Sequence, residues 1–356
     1  MDLDISASTG NFSVELLYHS KEMQAMQNLV VSPIATWTVL AAMADAALAK
    51  TRRELVSALR IYSNRTAFRQ DFQDTTRWLT VNTTTIKVAK LNVIIFDKSR
   101  ILEHDFREIA KTVYDTEIFE LDYANITPNK GNISKLVKEI NLSKEQMFLA
   151  SSLYFKGQWT YSFNTSYTTK QNFYDSSGVK IGRVNMMYNC YKYAFVHVQE
   201  IQAKVIELPY GVENRLSMVI MLPNPVLLDS IFNKLKLSQE YGDFEVDCYI
   251  PRFKIESNLE LSEILKTWMG IFDLFDAAHS NIGRMVRRIP AYVKKVVHKA
   301  EIEVTEEGSA ASGYTSKSAN GKANQFEANR PFSYFVIEKV TNTIIFAGLY
   351  QQPSLY

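Results

Sequence analysis

Residues 296–312 read VVHKAEIEVTEEGSAAS, and two unlike patterns meet inside them. From Ala291 to Val304 apolar and polar residues alternate with many β-branched side chains, the pattern of a half-buried strand. Beyond it come Glu306, Glu307, Gly308 and a run of small residues that ends the alternation. The small, polar composition continues to Asn329 as GSAASGYTSKSANGKANQFEAN, 22 residues almost without branched apolar side chains, before strand signals resume. A connection this long inside a compact domain is functional or disordered, not an ordinary link.

The loop's own chemistry narrows the choice. Gly308 and Gly313 stand five apart like the glycines of a P-loop, but Tyr314-Thr315 follows where Lys-Ser/Thr is required, so phosphate binding is excluded. Lys317 and Lys322 stand among small neighbours, as in a segment that a cation-directed protease can cut. With period two, Ser309, Ala311, Gly313 and Thr315 share one face, and Ala310, Ser312, Tyr314 and Ser316 the other. Neither Pro nor a charged residue occurs from Gly308 to Ser316. The segment is therefore able to join the interior of a sheet, where Pro would remove a ladder donor and a charge would have to be desolvated.

Outward from this stretch the chain is ordinary in composition. Its 356 residues, 46% hydrophobic and 22% charged, suffice for one large core or two modest ones. Forty Lys+Arg against 38 Asp+Glu leave +2, too balanced for a nucleic-acid binder that works by neutralising phosphates. Leu29–Met43 and Leu216–Leu222 are too short or too interrupted to span a bilayer, so no membrane helix is expected. Cys190 and Cys248 form no Cys-x-x-Cys, and no His stands at ligand spacing from them, so two buried free thiols and no metal are expected. His19, His104, His197, His279 and His298 are scattered, and His-Glu-x-x-His and Gly-x-Ser-x-Gly are absent. An enzyme is not expected, nor is a cofactor. The basic stretch Arg284–Lys299 reads as the solvated face of a strand.

Met1-Asp2-Leu3-Asp4 has neither the basic region nor the apolar run of a secretory signal. Seven Asn-x-Ser/Thr sequons, at Asn11, Asn64, Asn82, Asn125, Asn132, Asn141 and Asn164, nevertheless favour a secreted glycoprotein whose signal has been removed.

Helical spacing covers Phe12–Gln27, a helix opened by Ser32-Pro33, Arg52–Leu59 and Glu103–Val113, with further helical segments at Leu228–Leu235 and Ser262–Met269. Strands are expected at Ile86–Phe96, Glu117–Tyr123, Phe148–Phe155, Tyr191–Val198, Ala203–Leu208, Leu216–Leu222, Phe244–Ile250, Ala291–Val304, Tyr334–Ile337 and Thr343–Ala347. Helices first, long strands after and no βαβ alternation indicate an α+β protein. Without a Gly-, Pro- or Ser-rich linker, residues 1–356 are expected to form a single domain.

Val296–Ser312 resembles the hinge of the serpins, in which His-Lys-Ala-x-Ile-Glu-Val precedes Glu-Glu-Gly and small residues. Other serpin landmarks follow in order: NLVVSP (Asn28–Pro33), SSLYFKGQW (Ser151–Trp159), NMMY (Asn185–Tyr188), ELPY (Glu207–Tyr210), LSMVIMLP (Leu216–Pro223), PRFKIES (Pro251–Ser257) and FEANRPFSYFVIEKVTNTIIFAG (Phe326–Gly348). The resemblance runs from Phe12 to the end of the chain. It implies three β-sheets, about eight helices and an exposed reactive loop over residues 306–329. It also implies a monomeric inhibitor that is cut by a trypsin-like serine protease, held as a covalent complex and consumed as its loop enters the main sheet.

On this resemblance the hinge is Glu306, Glu307, Gly308, Ser309, Ala310, Ala311, Ser312 and Gly313. Seventeen residues counted from Glu306 put the reactive bond at Lys322–Ala323, with Lys317–Ser318 as the competing site. The strand-opening region is Ser32, Ser151 and His298. Ala35 and Ser151 replace the family's Ser and Asn there, so fewer hydrogen bonds are expected across the strands that must part. The segment Ala124–Met147, with Pro128 and Gly131, stands where the family carries an amphipathic helix over the main sheet, and that helix is expected to be deleted or cut to a turn. The alternative is a serpin that no longer traps and acts as a carrier or a plain protease substrate.

Overall fold

The computed structural model describes residues 5–24, 26–79, 83–123, 143, 146–199, 202–223, 242–287, 291–310 and 324–356. Five α-helices lie among the described residues: α1 (Ile5–Met23), α2 (Pro33–Ala46), α3 (Ala49–Leu59), α4 (Arg65–Thr76) and α5 (His104–Thr112). All 14 residues of α2 are buried, so this helix has no solvent face. Pro33 suits its first turn, where a missing N–H costs nothing. Ser32 precedes it in extended conformation but does not cap the helix with its side chain. Its hydroxyl instead donates to the carbonyl of Ile345 at 2.9 Å, tying the helix start to a strand.

Two strand systems enclose α2. The strands are β1 (Leu29–Val31), β2 (Ile86–Asp97), β3 (Thr116–Leu121), β4 (Gln146–Gly157), β5 (Trp159–Tyr161), β6 (Thr169–Tyr174), β7 (Lys180–Val198), β8 (Ala203–Tyr210), β9 (Leu216–Pro223), β10 (Gly242–Pro251), β11 (Phe253–Glu260), β12 (Tyr292–Val304), β13 (Gly308–Ala310), β14 (Asn324–Glu327), β15 (Phe332–Glu338) and β16 (Thr343–Tyr350). A five-stranded sheet has the order β11-β12-β4-β2-β3, and the remaining strands form one hydrogen-bonded network. The 19-residue β7 divides that network into two layers. It pairs with β10 from Met186 to Phe195, and with β8 only from Ala194 to Val198. By layer the molecule is therefore an α+β fold with three sheets.

One hydrophobic core lies between the helices and the five-stranded sheet, joining Trp37, Leu40, Phe72, Ile94, Leu149 and Val296. A second lies between that sheet and the long network, joining Phe155, Trp159, Tyr210, Ile302 and Phe346. Val93, Ile95 and Phe148, on the sheet's opposite face, are buried as well. Cys190 and Cys248 are free and buried as expected, and burial pushes the Cys190 thiol up to about 12. Among the described residues no helix is long and apolar enough to cross a membrane. The helical segment expected at Leu228–Leu235 lies outside the described residues. So does the stretch Ala124–Met147, where the loss of a covering helix was expected, apart from Ser143, Gln146 and Met147.

Candidate functional site

The centre of the five-stranded sheet is a parallel seam. β12 and β4 pair in parallel from Tyr292 opposite Gln146 to Glu303 opposite Lys156, with one irregularity between Val293 and Lys295. On either side β11–β12 and β4–β2 are antiparallel. Parallel pairing is slightly weaker per residue, and its direction matters more. A chain that leaves β12 at Val304 and folds back runs antiparallel to β12, and therefore antiparallel to β4 also. Entering the seam, it would exchange one parallel ladder for two antiparallel ones.

Beneath the middle of the seam lies a buried polar network. His298 on β12 stands opposite Ser151 on β4, and their side chains meet at 2.8 Å between Nδ1 and Oγ. His298 Nε2 accepts the backbone N–H of Ser32 at 2.8 Å. Ser151 Oγ lies 3.2 Å from Thr36 Oγ1 on α2. The structure thus brings together Ser32, Ser151 and His298, and adds Thr36. Ala35 carries no hydroxyl; its neighbour Thr36 reaches Ser151, which in turn reaches His298 across the seam. One member of the same row is unsatisfied. Asn92 on β2 stands opposite Ser151, is 1% exposed, and its amide has no hydrogen-bond partner among the described residues.

The upper end of the seam is fastened to the hinge. The main-chain carbonyl of Thr305 accepts from Trp159 Nε1 at 2.7 Å, that of Glu307 from Trp159 N–H at 2.9 Å, and that of Glu306 from Phe163 N–H at 3.1 Å. Trp159 is itself fixed by stacking on Tyr210 at 4.3 Å. The Glu306 carboxylate is buried. It accepts from Thr168 Oγ1 at 2.7 Å and faces Arg252 Nη1 at 3.5 Å. Lys156 Nζ lies 3.5 Å from Glu307 and 3.7 Å from Glu303. Gly308 and Ala310 pair in parallel with Trp159 and Tyr161. No other residue fits at Gly308, because a Cβ there would fall 2.4 Å from the Cα of Ser162.

Ser309 is held by this short strand too, whereas Ala311, Ser312, Gly313, Lys322 and Ala323 lie outside the described residues. Among the sequons, Asn11, Asn64 and Asn164 are exposed, and Asn82, Asn125, Asn132 and Asn141 lie outside. Sequence reasoning missed Thr36, Asn92, Thr168 and Arg252. Arg252 sits inside the quoted PRFKIES, yet nothing local marks it as a partner for a carboxylate 54 residues away.

Residues 7–353 match the family profile described as Serpin (serine protease inhibitor). Human Serpin B8 is 27% identical over an alignment covering 98% of this chain and 100% of that protein. Human Serpin B11 is 36% identical over 220 residues, which is 58% of this chain and 55% of that protein. The crystal structure of human thyroxine-binding globulin complexed with thyroxine shares the fold, with a TM-score of 0.85 at 20% identity and 98% of each chain covered. With the parallel seam, its buried His-Ser network and the fastened hinge, these matches make the chain a member of the serpin family.

Proposed function

We propose that this serpin is a single-domain, suicide-substrate inhibitor of trypsin-like serine proteases, with residues 306–329 as hinge and reactive loop. The protease serine attacks the carbonyl carbon of Lys322, the Lys322–Ala323 amide breaks, and the amine of Ala323 leaves with a proton. The Lys322 acyl group stays on the protease as an ester. The freed arm then folds back at Glu306–Gly313 and enters between β4 and β12. Seventeen residues at about 3.3 Å each span roughly 55 Å, enough to carry the acylated enzyme along the sheet before water completes hydrolysis. Ser32, Thr36, Ser151 and His298 hold the seam shut until then.

The observation that carries this reading is the parallel seam with a hinge docked at its upper end. A loop returning from β12 gains hydrogen bonds on both edges there, so the uncut state is held kinetically above a more stable one. Lys322 supplies the cation that an acidic primary pocket takes. Incubation with trypsin tests the proposal: a complex that survives boiling in detergent should form, and Lys322→Ala should abolish it while the fold persists. Cleavage without a complex would favour the non-trapping alternative, and loss of the complex in Lys317→Ala instead would move the reactive bond.

We further propose that the protein acts outside the cell as a glycoprotein. The exposed Asn11, Asn64 and Asn164 support this. Asn64 and Asn164 also present their side chains at helix starts, each accepting a backbone N–H. An unchanged mass after glycosidase treatment of protein from its native source would count against it.

A further inference from the structure

After β16 the chain returns to the hinge. Asn28 Oδ1 accepts the backbone N–H groups of Gln351 and Gln352 at 2.7 and 2.8 Å, and the Ser354 N–H donates to the Tyr350 hydroxyl at 3.0 Å. Pro353 lies against Gly182 on β7 so closely that a Cβ there would fall 2.5 Å from Pro353 Cγ. This route delivers Tyr356 to the top of the five-stranded sheet. Its main-chain oxygen accepts from Asn185 Nδ2 at 2.8 Å and from Arg252 Nε at 2.7 Å, and its hydroxyl donates to Glu303 Oε1 at 2.8 Å. The matched family profile stops at residue 353, short of all three contacts.

Two of the groups that Tyr356 holds also serve the hinge. Arg252 faces the Glu306 carboxylate through Nη1 at 3.5 Å, and the same Glu303 Oε1 stands 3.7 Å from Lys156 Nζ across the seam. In each case the bond to Tyr356 is the shorter. A guanidinium can grip a carboxylate with two parallel N–H groups, but here Nε is committed to Tyr356. Asn185 belongs to β7, Arg252 precedes β11 and Glu303 belongs to β12, so none of these bonds crosses to β4. Tyr356 therefore does not clamp the seam shut; the ion pair that does cross there, Lys156–Glu303, is one it competes with. We propose that Tyr356 is a positioning residue that keeps the hinge loosely fastened, holding Arg252 and Glu303 back from full pairing with Glu306 and Lys156. The proposal rests on the reading that this hinge must let go for the loop to enter. Leu355 is 64% and Tyr356 39% exposed, so the tail is open to displacement, which would tighten the hinge.

Amide hydrogen exchange of the uncut protein tests this at the Trp159 and Phe163 N–H groups, which donate to the Glu307 and Glu306 carbonyls. Removing Ser354–Tyr356 should slow exchange there by about fivefold, the effect of one regained hydrogen bond. Tyr356→Phe keeps the full chain and the main-chain oxygen on Arg252 while freeing Glu303, and should slow exchange by less. With Arg252→Met and Lys156→Met together the truncation should have no effect, because neither carboxylate has a cation to regain. Unchanged or faster exchange on truncation, no slowing in Tyr356→Phe, or the same slowing without the two cations would each overturn the proposal. Trypsin has no part in the measurement, so a protein that fails to trap can still show the effect, and the two failures are told apart.

Discussion

The backbone N–H of Ser32 donates to Nε2 of His298 at 2.8 Å, and because an amide N–H can only donate, the imidazole proton must sit on Nδ1. The tie across the β4–β12 seam is then Nδ1–H donating to Ser151 Oγ. A second proton, on Nε2, would set one N–H against another.

This arrangement predicts an acid-sensitive seam. Burial pushes the His298 pKa from 6.5 down to about 4. Between those values the unfolded chain takes up a proton that the folded protein refuses, so stability falls as pH drops through that window and levels off below it. The full difference is about 3 kcal/mol. Thermal midpoints at pH 7 and pH 5 should show more than half of this loss in the unaltered protein and a smaller one in His298→Gln. An equal response in both would rule out His298 as its source.

Glu306 gives the second prediction. Its buried carboxylate joins Thr168 and Arg252 to the hinge. Removing one partner of a buried hydrogen-bonded charge costs about 1–3 kcal/mol or more. Glu306→Ala should therefore detach the hinge from β5 and hasten loss of inhibitory activity on mild warming. Inactivation at the unaltered rate would show that the Trp159 and Phe163 bonds suffice.

Asn92 gives a prediction of opposite sign. A buried amide without a partner burdens the uncut state by about 1–3 kcal/mol. Asn92→Leu, apolar and branched at the same atom, should raise the thermal midpoint of the uncut form by a few degrees. A lower midpoint would mean that the amide is satisfied in solution.

The fourth prediction staples the seam. Ala150 and Val297 are neighbours across β4 and β12, and both are partly buried on the face opposite α2. Adjacent strand positions fall within the Cα separation that a disulfide bridges. Oxidised Ala150→Cys/Val297→Cys should be cut by trypsin without trapping it, and reduction should restore the complex. Trapping by the oxidised form would place loop entry elsewhere.

Much of this was legible in the chain. Ser32-Pro33 marked the start of α2, alternation marked β4, β12 and most long strands, and the change of pattern after Val304 marked the end of β12. Thr36 was not legible, because α2 is buried all round and its composition singles out no face. Asn92 sits in IKVAKLNVIIF, whose apolar run conceals one inward amide. Helix α4 was missed although Asn64 caps it with two backbone bonds, since its cap was read only as a sequon. β5 and β13 are three residues each, too short for any periodicity, and their pairing depends on the close approach of Gly308 to Ser162.

The central claim is that a cut loop becomes a strand between β4 and β12, and thermal unfolding before and after a single clean cleavage tests it most directly. Two antiparallel ladders in place of one parallel ladder should raise the midpoint of the cleaved protein by tens of degrees. A cleaved protein that melts with the uncut one would contradict strand insertion and with it the trap.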